Sequence, residues 1–158
     1  MKPIQFRYHV SLSITHPDIA PEIVTEALGL TPTSVERKGE AKHSWLAKLP
    51  EAVTARVLNK HRWFHMFQPA SADEPLTSCM QSAIARLRER REFIERVHST
   101  GGRVQFTVYL YPPSGRDQPF DYALITDLRE LGIGFQITMY PREDYVRDTT
   151  DFADAPAA

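Results

Sequence analysis

His61 and His65 stand four residues apart in HRWFHMF, with His43 and Cys79 elsewhere in the chain. On a helix, two histidines at that spacing would share a metal ion. The segment instead reads as a strand rich in aromatic residues, where four residues span roughly 13 Å. That is too far for one ion, and a zinc site needs three or four convergent ligands. No metal or cofactor is implied. Cys79 falls in the first turns of a helical pattern, where a thiolate is activated if charge and exposure favour it. A lone helical cysteine is more often a small packed hydrophobe, and that reading is preferred.

Arg37-Lys38-Gly39 reads as a turn able to hold an anion, with His43 nearby. It is no Walker loop, because the glycine-rich run and the Lys-Ser/Thr pair are both missing. G-x-S-x-G, G-x-G-x-x-G and H-E-x-x-H are absent. Asp121 and Asp127 form a carboxylate pair on or near a short helix without a recognisable cleft. His9 has the chemistry of a general base, but its partners cannot be placed. Arg86, Arg88, Arg90, Arg91 and Arg96 interleave with Glu89, Glu92 and Glu95, the pattern of a solvated helix face with i,i+4 support.

The elements that position these residues begin with RVQFTVYLY, 103–111. Val104, Phe106, Val108 and Leu110 share one face; Gln105, Thr107, Tyr109 and Tyr111 share the other. Such alternation marks a strand with one buried side. A first strand over 4–14 places Ile4, Phe6, Tyr8, Val10, Leu12 and Ile14 together, opposite Arg7, His9, Ser11 and Ser13. A helix follows, with Asp18 as its cap, Pro21 in its first turn, an apolar stripe of Ile19, Ile23, Val24 and Ala27, and Gly29 as its stop. Residues 51–59 read as two helical turns and 61–67 as a strand with apolar groups on both sides, so its inner face stays open. Asp73 or Glu74 is expected to cap a long helix from Leu76, with Pro75 in the first helical position and a break near Arg90. Gly101 and Gly102 close it. Residues 119–131 form a short helix, and 133–140 a last strand with Ile133, Phe135, Ile137 and Met139 inward.

This order predicts a single α+β domain over 1–141: a ferredoxin-like β-α-β-β-α-β core with an additional α-β unit. The sheet is mainly antiparallel with helices on one face, and the strands at 103–111 and 133–140 run parallel. An acidic tail, 142–158, is expected to be flexible.

From the first helix onward the chain resembles the DUF4279 family. Leu28-Gly29-Leu30 with Pro32, Arg37-Lys38-Gly39, a tryptophan (Trp45 or Trp63), and Phe135 to Tyr140 carry the likeness, over roughly 6–141. The resemblance implies a fold and no catalytic residues.

The chain has 158 residues and 42% apolar composition, enough for one core. Lys plus Arg number 19 and Asp plus Glu 20, a net charge of −1, which disfavours a dedicated nucleic-acid binder. One cysteine excludes an internal disulfide. No apolar run approaches a membrane span and none follows Met1, so a cytoplasmic location is expected. The uncovered sheet face gathers Arg7, His9, Ser11, Ser13, Gln105, Thr107, Tyr109, Gln136, Thr138 and Tyr140. The leading expectation is a non-enzymatic protein-interaction domain, immunity-like or regulatory, with a protein partner, using Tyr109 and Tyr140 on that face and the Arg37–His43 turn as a polar rim. One alternative is an anionic-ligand or enzymatic site at the sheet edge, with His9 or His65 as base, Arg37 as clamp and His43 beside it. Another is weak single-stranded RNA binding by stacking on Tyr109 and Tyr140, with Arg7 and Arg103 on phosphates.

Overall fold

The structure is a computed structural model that describes residues 7–40, 47–71, 73–111 and 120–140. Five strands, β1 (Arg7–His16), β2 (Ser34–Glu36), β3 (His61–Phe67), β4 (Arg103–Tyr111) and β5 (Gly134–Met139), form one sheet in the order β2-β3-β1-β4-β5. The first three pairings are antiparallel and β4–β5 is parallel, as the α-β unit at the end of the chain requires. The helices are α1 (Pro21–Leu28), α2 (Glu51–Leu58), α3 (Leu76–Arg88), α4 (Arg91–Ser99) and α5 (Tyr122–Glu130). The fold is therefore mixed α+β with a mostly antiparallel sheet. Residues 4–6 of the expected first strand, and the expected acidic tail, lie outside the described residues.

One hydrophobic core joins the sheet to α1, α3, α4 and α5. Val10, Leu12 and Ile14 from β1, Val104, Phe106, Val108 and Leu110 from β4, and Trp63 and Phe67 from β3 are all in it. They meet Val24 and Leu28 of α1, Met80, Ile84 and Leu87 of α3, Ile94 and Val97 of α4, and Leu124 and Leu128 of α5. The β1–β3 register sets Ile14 against Trp63 and Val10 against Phe67. This settles the inner face of β3: Trp63 is buried and its indole N–H donates to Thr25 Oγ1 at 3.0 Å. Phe64 and Met66 take the opposite face, beside Ser13 and Ser11. The helix α2 buries none of its residues.

Several local expectations are corrected. The N-cap of α1 is Ala20, without a side-chain cap, and Pro21 is the first helical residue. Asp18 instead lies 3.7 Å from Lys38 Nζ. Ile23 is exposed; Leu28 takes its place in the buried stripe. Pro75 is the N-cap of α3, and the Glu74 carboxylate turns aside to accept from Ala70 N–H and Ser78 Oγ. Asp121 caps α5 by accepting from Ala123 N–H at 3.1 Å. The break at Arg90 stands where the apolar period slips, between α3 and α4. Ile137 and Met139 share the helix-side face of β5 with Phe135, yet they are 42% and 64% exposed. The helix layer ends short of this edge strand. Among the described residues, no helix is long and apolar enough to cross a membrane.

Candidate functional site

The face of the sheet opposite the helices carries a cluster of aromatic rings at one end. It is built by register. His9 on β1 stands directly beside Tyr109 on β4, and Tyr109 beside Thr138 on β5. One step further, Tyr140 N–H donates to Leu110 O at 3.0 Å, which sets Tyr140 alongside Tyr111. The Tyr140 ring stacks on Tyr111 with centroids 5.1 Å apart and planes 7° apart, and on Tyr109 at 6.2 Å and 26°. His9 meets Tyr111 edge-on at 5.5 Å and 85°. Parallel and T-shaped contacts at these separations are the favourable arrangements for aromatic quadrupoles. Four rings, from β1, β4 and the residue just after β5, thus hold one another in place.

Behind the cluster lies a band of short hydroxyl and amide groups. Ser11 and Thr107 face each other across β1 and β4 and are buried. Ser11 Oγ donates to Thr107 O at 3.5 Å. The Gln105 amide donates to Gln136 Oε1 on β5, and Gln136 in turn donates to Thr138 Oγ1 at 3.5 Å. Phe64 and Met66 flank the band on the β3 side and are half-buried. Arg62, which lies 3.8 Å from Glu36, and Arg103 stand at the far end of the face.

Burial tunes His9 and Tyr109 away from charge. It lowers the His9 pKa below the usual 6.5, so the ring is neutral at pH 7. It raises the Tyr109 phenol above 10, against a smaller opposing effect from a Ser11 hydrogen bond. The face offers neutral hydrogen-bonding groups and ring edges where His9, Tyr109 and Tyr140 converge.

The other candidates stand elsewhere. His65 is on the helix side of the sheet, stacked on Trp63 at 5.9 Å and edge-on to Phe67 at 4.7 Å. Its Nδ1–H donates to Thr31 O at 2.6 Å. His9 and His65 therefore lie on opposite faces. Arg37 follows β2 and forks onto Glu22 of α1, with Nη1 3.0 Å from Oε2 and Nη2 on Oε1. That hydrogen bond, above all, pulls the Glu22 pKa down to about 2. An anion approaching Arg37 competes with this carboxylate. His43 lies outside the described residues. His61 Nδ1 accepts from Lys38 N–H at 3.1 Å, and no group of three His, Cys, Asp or Glu among the described residues is placed to hold a metal. Cys79 is buried and its thiol pKa is pushed up by desolvation, the opposite of an activated thiolate. Of the charged helix face, Arg91 pairs with Glu95 at 2.9 Å and Arg88 reaches Asp127 on α5.

Sequence reasoning passed over His16. Its Nδ1 accepts from Asp18 N–H at 2.9 Å and Ile19 N–H at 2.7 Å, so Nε2 carries the proton and donates to Thr100 Oγ1 at 2.8 Å. Thr100 passes a hydrogen bond on to Arg96 O at 2.6 Å. One imidazole thus ties the start of the β1–α1 loop to the end of α4. The only hint in the sequence is the histidine ending an alternating strand, just before Pro17.

No curated protein and no solved structure matches the chain. The family model of DUF4279, a domain of unknown function, matches residues 6–142. The match spans both edges of the sheet and every ring of the cluster, and the chain belongs to the DUF4279 family.

Proposed function

We propose that the open face of the sheet is a docking surface for a partner protein, and that the domain works by binding rather than by catalysis, in the cytoplasm. The first four strands, in the spatial order β2-β3-β1-β4, are read as a ferredoxin-like core extended by the α5–β5 unit. The observation that carries the functional reading is the ring cluster of His9, Tyr109, Tyr111 and Tyr140. Aromatic groups fixed in advance bury large area at little cost in side-chain entropy, which is why interface anchors are rich in tyrosine. In the neutral band beside it, the half-buried Gln105, Gln136 and Thr138 supply hydrogen bonds without burying charge. The fitting partner presents apolar and aromatic side chains flanked by hydrogen-bonding groups.

The competing readings have less support. A base on His9 working with Arg37 would need groups that lie on opposite faces of the sheet, and with His65 as base the clamp is already held by Glu22 and the imidazole by Thr31 O. RNA stacking needs ring faces open to bases, and here Tyr140 is stacked on both Tyr109 and Tyr111. Affinity capture from native lysate, with wild type beside Tyr109→Ala and Tyr140→Ala, tests the proposal. A partner recovered by wild type and lost from both variants is expected. Equal recovery by all three proteins rejects the face.

A further inference from the structure

The two edges of the sheet are protected very differently. β2 has three residues, ends in Glu36 and runs into Arg37 and Lys38. Short length and charge are the usual defences of an edge strand. β5 has six residues, GFQITM, with no charge and no proline. Its outer side pairs with no strand among the described residues.

The direction of its free backbone groups follows from the ladder. Tyr140 N–H points to Leu110 on β4. Backbone direction alternates along a strand, so Gly134, Gln136 and Thr138 also face β4, and Phe135, Ile137 and Met139 turn their N–H and C=O outward. The side chains of those same three residues lie on the helix side, where Ile137 and Met139 are 42% and 64% exposed. The helix α5 runs back from the end of β4 to the start of β5, and two of its apolar residues, Tyr122 and Ile125, are also exposed. Among the described residues, backbone without a strand partner and exposed apolar side chains therefore coincide on one edge.

We infer that β5 is a self-association edge: it pairs antiparallel with β5 of a second copy of this chain, about a two-fold axis at Ile137. The sequence is complementary to itself in that register. Ile137 faces Ile137 of the second copy, and Phe135 faces its Met139, so apolar groups meet on the helix side. Gln136 faces Thr138 of the second copy on the open side, an amide opposite a hydroxyl. The outward N–H and C=O of residues 135, 137 and 139 all find partners. A two-fold axis makes this contact closed, so pairing stops at two copies. The result is one ten-stranded sheet whose two open faces are continuous.

Sedimentation velocity over a concentration series measures the association, with wild type beside Ile137→Lys and Met139→Lys. Wild type is expected to form a dimer. Ile137→Lys places like charges face to face on the two-fold axis, Met139→Lys sets an ammonium against Phe135 of the second copy, and each weakens the dimer roughly tenfold or more. Met139 is the more exposed of the two and guards against loss of fold in the Ile137 variant. Oxidation of Ile137→Cys supplies a register test. A hydrogen-bonded antiparallel pair holds its Cα atoms about 5.5 Å apart, within the roughly 4.4–6.8 Å that a disulfide spans. A covalent dimer from Ile137→Cys, and none from Ile23→Cys on α1, is expected. Wild type that stays monomeric throughout the series overturns the inference. So does a dimer that both lysine variants leave intact.

Discussion

Tyr140 lies nearly parallel to Tyr111, with ring centroids 5.1 Å apart and planes 7° apart. Tyr111 ends β4, and Tyr140 is the residue just after β5. The contact closes the open face at the end where both strands finish, and the same ring reaches Tyr109. The ring stacking that arms the proposed surface is also part of the stability of the parallel β4–β5 pair.

Tyr140→Ala is therefore expected to lower stability by about 1–2 kcal/mol, the scale of one or two aromatic contacts beyond simple burial. Tyr140→Phe keeps the ring and is expected to cost less. Urea unfolding followed by far-UV circular dichroism separates the two variants.

His16 makes stability depend on pH. Burial is the main cause that holds its pKa below 6.5, and protonation at Nδ1 would set a proton against the N–H groups of Asp18 and Ile19. The unfolded chain then binds the proton more readily than the folded one. Burial of His9 acts in the same sense. Stability is expected to be complete above pH 6.5 and to fall as the pH drops through and below it. In His16→Asn, whose side-chain oxygen still accepts those N–H groups, that fall is expected to be shallower. Thermal unfolding between pH 5 and 8 checks both statements.

Gly102 is required by the same junction. A Cβ there would lie 2.5 Å from His16 Cδ2, 2.6 Å from Val97 Cγ1 and 2.9 Å from Thr15 O. The last is backbone in the middle strand of the sheet and has nowhere to move. Gly102→Ala is expected to destabilise by about 1–3 kcal/mol, the range for overpacking. Ala at Gly29 meets no neighbour within 4 Å and is strained only by its φ of 64°, so denaturation of the two variants side by side contrasts a steric penalty with a backbone one.

Much of this arrangement is legible in the residue pattern. The inner face of β4 is plain because its two sides differ in chemistry, and the same alternation puts His9, Tyr109 and Tyr140 on the open face. β3 gives no such contrast: Phe64 and Met66 are as apolar as Trp63 and Phe67, and only pairing with β1 decides between them. Periodicity places Ile137 and Met139 on the helix side correctly, but it cannot show that the helix layer ends before reaching them. His16 depends on Thr100, 84 residues away, and no local pattern announces such a contact. Arg37 looks like a free clamp in its turn because its partner, Glu22, comes from another element.

Side-chain footprinting by hydroxyl radicals, on the domain alone and with its captured partner, tests the docking face most directly, because it reports each face of the sheet separately. Phe64, Met66, Tyr109 and Tyr140 all stand on the open face, whereas Tyr122 is 83% exposed on α5. Reduced oxidation of the four open-face residues in the complex, with Tyr122 unchanged, is the predicted result. Protection of Tyr122 and other helix-side residues, with Met66 and Tyr140 oxidised as in the free domain, would contradict it.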